Sequence, residues 1–331
     1  LVFTSYHILL DGWSSPLLLQ DLFALYAADG DAGALPPVPP YRDYLRWLHD
    51  RDPADARRAW TRALEGLDGP TRIAPVSVGR RAPSGWDTEL PAALGDAAEV
   101  FARARGLTVN TLFQAAWAVV LGQATGRDDV VFGATVSGRP PEVHGIEGMV
   151  GLFINTVPLR VRLAPSETVD ALLARLQSEQ ADLLEHQHLP LADVQGCAGV
   201  GELFDTLLVF ENYPVEADGL AGGDARLHTQ VLVNHGSAAT HYPLGLSIVP
   251  GTRMRIHASH RADLLPTARV ETLVAGLIAV VERMLAAPDA RVATLDPLPG
   301  GQRETLGAWQ APPACDSALD QAPVPADATL V

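Results

Sequence analysis

Ten residues near the start of the chain, SYHILLDGWS at 5–14, gather a histidine, an aspartate, a glycine, a tryptophan and two serines. An imidazole titrates near neutrality, so His7 can take up a proton or hydrogen-bond a developing charge without an extreme shift. The apolar run 1–8 reads as a strand, on which side chains alternate: Ser5 and His7 share one face, Tyr6 and Ile8 the other. Asp11 and Gly12 then fall in the turn that ends the strand. Glycine there permits a backbone angle that other residues resist, and the aspartate can fold back toward the imidazole or reach a distant cation. Two readings follow from these residues. In one, the turn aims His7 into a cleft for proton transfer. In the other, His7 is a satisfied core histidine, Asp11-Gly12 is a tight turn, and Ser14 or Ser15 caps the next helix.

The elements that must position these groups are legible as hydrophobic periods. Helices are expected over 15–28, with Pro16 near the first turn, over 41–65, 92–105, 108–124 and 168–186, and finally over 266–286. Strands are expected in DVVFGATVSG at 129–138, NTVPLRVRL at 155–163, FDTLLVFENY at 204–213, RLHTQVLVN at 226–234, YPLGLSIVP at 242–250 and TRMRIHASH at 252–260. The proline-rich ALPPVPP at 34–40 has the character of a spacer. Beyond 288 the composition turns to Pro, Ala, Gly and Asp with little periodicity, as in a linker. This order predicts an α/β (α+β) chain with a mixed sheet, too irregular for a doubly wound nucleotide fold.

The totals exclude several functions. With 331 residues the chain can bury a sizeable core, in two units or one two-lobed unit. The formal charge is −15, and all 24 basic residues are arginine, without a cluster dense enough to attract phosphate backbones or anionic lipid; neither nucleic acid nor a membrane is an expected partner. Cys197 and Cys315 are far apart and lack metal-type spacing, which points to a reducing, cytoplasmic setting and no metal site.

SYHILLDGWS resembles the core motif of the condensation domains of nonribosomal peptide synthetases, H-H-x-x-x-D-G with W-S after it. YRDYLRW at 41–47, VGLFINTVPLR at 150–160, HQHLP at 186–190, FDTLLVFENYP at 204–214 and THYPLGL at 240–246 resemble later segments of that family, in its order, so the resemblance covers residues 1–288. It implies a chloramphenicol acetyltransferase-like fold of two lobes with the active site in a tunnel between them. Residues 1–47 would be the end of the first lobe with the active-site motif, 48–288 the second lobe, and 289–331 a linker and the start of an adenylation domain. Most of the first lobe would then lie outside these residues, leaving this stretch inactive alone.

The resemblance also implies a reaction: aminolysis of a thioester, in which the amine of one carrier-bound acyl group attacks the carbonyl of another, with an L-configured donor and acceptor. Partners would be donor and acceptor peptidyl carrier proteins bearing 4′-phosphopantetheine, with no cofactor on the domain itself, and the adjoining adenylation domain. His7, Asp11 and Gly12 form the catalytic motif. His7 acts as general base or as a hydrogen-bonding partner that orients the amine. Asp11 forms a structural ion pair with an arginine of the second lobe, for which Arg139 in TVSGRPPE is the candidate. Ser14, Asn155 and Tyr242 are candidate substrate contacts, although Trp13 and Ser14 equally fit packing and capping. The sequence departs from the family pattern at Tyr6, where the motif has its first histidine, and at His188, where it has an acid. The competing readings are an epimerisation-type relative and a catalytically silent module that docks carrier proteins or recruits enzymes.

Overall fold

The computed structural model describes residues 3–76, 79, 81–211, 241–251 and 253–298. The helices start where local chemistry dictates. Ser14–Ala27 forms α1, Arg42–Asp50 α2 and Pro53–Leu64 α3. The single helix expected over 41–65 is broken because a residue before proline is pushed out of helical geometry. Asp52 is extended, and its carboxylate accepts from Ala54 N–H to cap α3. Ala92–Ala104 forms α4 and Val109–Thr125 α5, the latter capped by Thr108 Oγ1, which accepts from Thr111 N–H. Val169–Asp182 forms α6, Leu191–Ala198 α7 and Thr267–Ala286 α8.

Among the described residues, six strands form one mixed sheet: β1 (Ser84–Glu89), β2 (Asp129–Val136), β3 (Asn155–Arg162), β4 (Thr206–Phe210), β5 (Leu244–Val249) and β6 (Arg255–His260), in the order β1-β6-β5-β4-β2-β3. The pairs β2–β4 and β4–β5 are parallel, so these three strands end together at one edge of the layer. The strands β3, β6 and β1 run antiparallel to their neighbours.

Alternation along β2 divides the core. Val130, Phe132 and Ala134 join the larger cluster, which the helices α4, α5, α6 and α8 cover. Val131 joins a second cluster on the other face, built on Trp60 and Leu64 of α3 and Val194 of α7. A third, smaller cluster packs Tyr44 of α2 against Val143, Ile146, Met149 and Phe153 in the loop between β2 and β3. The described residues up to Pro297 form one compact unit.

One further expectation needs correction. The strand over 1–8 does not form: residues 3–6 are irregular and 7–9 make a turn, in which Leu9 N–H donates to Tyr6 O at 2.9 Å. A strand is held by its ladder, and among the described residues no strand lies beside this one. Strand β1 and helix α7 are elements the sequence reading did not anticipate. The expected strand at 226–234 lies outside the described residues, as does everything beyond 298.

Candidate active site

The first turn of α1 is anchored by a buried ion pair. Asp11 is 1% exposed and the Arg139 side chain 4%, with Arg139 Nη2 3.3 Å from Asp11 Oδ1. An isolated pair of buried charges would scarcely offset its desolvation, so the remaining hydrogen bonds decide the matter. Asp11 Oδ1 accepts from Ser14 N–H at 3.0 Å, and Oδ2 accepts from Phe153 N–H at 3.1 Å. Arg139 Nη1 donates to Ile146 O at 2.5 Å and Met149 O at 3.0 Å, while its guanidinium lies 3.9 Å from the centroid of the Phe153 ring. Burial pushes the guanidinium pKa down from its ordinary value, and the facing Asp11 carboxylate opposes that shift.

Ser14 is the third member of this group. Its Oγ lies 2.8 Å from both Asp11 Oδ1 and Gly151 O, one of which takes its single proton. It also accepts from Gly151 N–H at 3.0 Å and from Arg139 Nη2 at 3.3 Å. The expected capping role therefore belongs to Asp11, and the hydroxyl of Ser14 is fully engaged within the protein. Trp13 precedes the helix and donates Nε1–H to Glu147 O at 2.9 Å.

Two further segments close around this anchor. Tyr41 donates its hydroxyl to Leu152 O at 2.6 Å, and its ring sits where a Cβ on Gly151 would come within 2.4 Å. Tyr44 packs on Phe153 with centroids 4.7 Å apart, and burial, aided by Tyr41, pushes its hydroxyl pKa up to about 12. Asn155 Nδ2 donates to Gln187 O and Leu189 O, both at 2.8 Å, and its Oδ1 accepts from Thr156 N–H. These bonds use both N–H donors of the side-chain amide, so Asn155 holds the HQHLP loop and has no N–H left for a substrate. Within that loop the His188 ring meets Trp47 edge-on at 5.8 Å, and its Nδ1–H donates to Glu185 O. Burial, the leading cause, pushes the His188 imidazole pKa down.

The remaining sequence-derived candidates are placed differently. His7 lies on the exposed turn, and Tyr6 beside it is 81% exposed. Gly12 is not among the glycines with left-handed φ, so its freedom is not used in the manner expected. That need falls on Gly138, at φ +60°, just before Arg139. Tyr242 packs on Phe204 with centroids 5.5 Å apart, and burial pushes its hydroxyl pKa up to about 12.

A cleft of about 720 Å³ adjoins the anchor, with Trp13, Ser137 and Arg139 in its lining, and His7 lines neither this cleft nor the 440 Å³ cavity alongside β3. Sequence reasoning missed the parts played by Gly151, Leu152 and Phe153. Their segment was singled out as a motif, but main-chain donors and acceptors leave no mark in side-chain chemistry.

Four of the segments singled out in the sequence thus meet at one place, although they lie up to about 180 residues apart. A model of the condensation domain matches residues 1–306. The chain belongs to the condensation domain family. It is 39% identical over 328 residues to chondramide synthase from Chondromyces crocatus, covering 96% of this chain and 8% of that protein. It is 35% identical over 320 residues to surfactin synthase subunit 3 from Bacillus subtilis (strain 168), covering 95% of this chain and 25% of that protein. This condensation domain therefore spans a small part of each of these relatives. In three dimensions it resembles the first condensation domain of the calcium-dependent antibiotic synthetase in complex with a substrate analogue. The TM-score is 0.70 at 18% identity, over 88% of this chain and 65% of that one. The neighbour supports the acetyltransferase-like fold, with its mixed sheet and covering helices. Among the described residues no helix is long and apolar enough to cross a membrane.

Proposed function

We propose that this condensation domain forms an amide bond between two carrier-bound substrates in nonribosomal peptide assembly, joining an L-configured donor to an L-configured acceptor. The neutral amine of the acceptor attacks the donor's thioester carbonyl and the C–N bond forms. The C–S bond then breaks, the nitrogen gives up a proton, and the pantetheine sulfur leaves as a thiol. The α-amine has a reference pKa of about 7.7–8.0, so part of it is neutral without help and the demand falls on alignment. The donor and acceptor carrier proteins with their 4′-phosphopantetheine arms, and an adjoining adenylation domain, are the partners this reading requires.

One observation carries the proposal: the family match spans residues 1–306, and the chain keeps His7 four residues ahead of the buried Asp11. Asp11 and Arg139 do not touch substrate in this reading. They fix the turn from which the histidine segment departs, and the short lever from Asp11 to His7 transmits that rigidity. His7 then orients the amine or takes its proton. Asp11, Gly12, Ser14, Asn155 and Tyr242 act through structure.

The test is single-turnover condensation between donor-loaded and acceptor-loaded carrier proteins, in the full synthetase, with wild type beside His7→Ala. The variant should lose at least about a hundredfold in rate, the lower range for a general acid–base group. A pH–rate profile separates the two roles, because pure positioning gives no limb that tracks the imidazole. The departure from the family pattern at Tyr6 keeps a second reading in view, a silent docking or recruitment module. Equal rates for wild type and variant would support it.

A further inference from the structure

The 720 Å³ cleft lies where the parallel strands β2, β4 and β5 end, a position at which open α/β sheets generally take their ligands. Its wall on the helix side is the first turn of α5. Thr111 N–H is capped by Thr108 Oγ1, whereas Val109 and Asn110 have no backbone acceptor among the described residues, so their N–H groups face the cleft rim unpaired. A helix N-terminus alone says little. One turn further in stands Gln114, which lines the same cleft, is only 3% exposed, and holds its Oε1 buried without a hydrogen-bond partner.

A buried side-chain carbonyl left unsatisfied is a cost that native cores avoid by substituting an apolar residue of the same size. Around it α5 is otherwise apolar and tightly buried, with Leu112, Phe113, Ala115 and Ala116 all 0% exposed. The group complementary to a primary amide that presents one donor and one acceptor is another amide, whose N–H meets Oε1 while its C=O meets Nε2 or the free N–H groups of the helix start.

We propose that Gln114 reads a secondary amide held in this cleft, with the N-terminus of α5 receiving a carbonyl oxygen beside it. The inference rests on the acyl-transfer function, since that chemistry delivers secondary amides from two sources, the pantetheine arm and the peptide chain it carries. Gln114 is in this view a positioning residue. It lies on α5 and fixes how far an arm or an acyl chain enters.

The test uses the 331-residue chain labelled with 15N-glutamine, with the Gln114 side-chain resonance assigned by its loss in Gln114→Leu. Pantetheine and an N-acetyl dipeptide methylamide are titrated separately. At least one should shift the resonance, and which one does identifies the source. Gln114→Leu should raise the melting temperature by about 2–4 °C while weakening that probe about fivefold to tenfold. Gln114→Met supplies a second apolar replacement should the leucine pack poorly. Replacing the probe's N–H by an ester oxygen should weaken binding to wild type but not to the leucine variant. The proposal falls if neither probe moves the resonance. It also falls if the variants gain stability and bind the probe as before, which is the behaviour of an amide satisfied by water. Because binding is read without turnover, the inference can fail while the condensation assay succeeds, and the reverse.

Discussion

Asp11 is the residue whose removal tests the anchor most directly. Its carboxylate neutralises a guanidinium that has almost no access to water, and it also accepts from Ser14 N–H and Phe153 N–H. Asp11→Ala leaves an unpaired buried cation and an orphaned Phe153 N–H, while Ser14 N–H keeps only the Asp11 carbonyl at 3.2 Å, a loss of about 3–5 kcal/mol. Thermal or denaturant unfolding of the purified chain should register it, and a variant melting with wild type would refute the anchoring role. Asp11→Asn should fall between the two, since an amide oxygen can still accept from Phe153 N–H but carries no charge. The same residue marks the boundary of what sequence could tell. An aspartate before glycine is compatible with turn, cap or ion pair, and the pairing with Arg139 across 128 positions came from the family resemblance alone. Nothing in the sequence distinguished Gln114 from any helical glutamine, because its significance is the lack of a partner.

Elements with an apolar period reading onto a buried face were legible, and those whose existence depends on a neighbour were not. The helices α4, α5, α6 and α8 fall within a few residues of expectation because each carries a continuous buried stripe. Strand β1, SGWDTE, is an edge strand with Trp86 as its one large apolar side chain, so no alternation announces it. The opposite error occurred at 1–8, where an apolar run suggested a strand that has no partner among the described residues. The strand expected over 129–138 stops at Val136, and the turn from there into Arg139 rests on one glycine. Gly138 has φ +60°, and a Cβ there would stand 1.7 Å from Phe153 O, the residue whose N–H serves Asp11. Gly138→Ala should therefore destabilise by at least about 2 kcal/mol and, through the shifted Phe153, loosen the Asp11 anchor as well. Denaturant midpoints would check the first effect. The coupling to Asp11→Ala in a double-mutant cycle checks the second, and additive losses would show that the two sites are independent.

At the scale of the whole molecule, stability is distributed unevenly, and the site straddles the boundary. The helix α5 is buried along most of its length and α8 buries one face from Val270 to Met284, whereas in α1 only Ser14 and Pro16 are buried, and Leu19, Leu22 and Tyr26 are 39–50% exposed. With Phe3, Tyr6, Ile8 and Leu9 they make the first 26 residues the richest stretch of exposed apolar side chains among the described residues. The body of the domain holds this stretch chiefly through Asp11, Trp13 and Ser14. Local opening should therefore cost far less here than global unfolding, and the cheapest opening should pass through residues 17–27. Hydrogen exchange on the 331-residue chain should find the amides of α1 exchanging at least about a hundredfold faster than those of α5. Leu19→Gln with Leu22→Gln should reduce binding of a hydrophobic dye while leaving the main melting transition in place. Protection of α1 equal to that of α5 would mean that the anchor at its first turn stabilises the whole helix. The histidine segment would then be held as firmly as the core, and stability would be uniform across the domain.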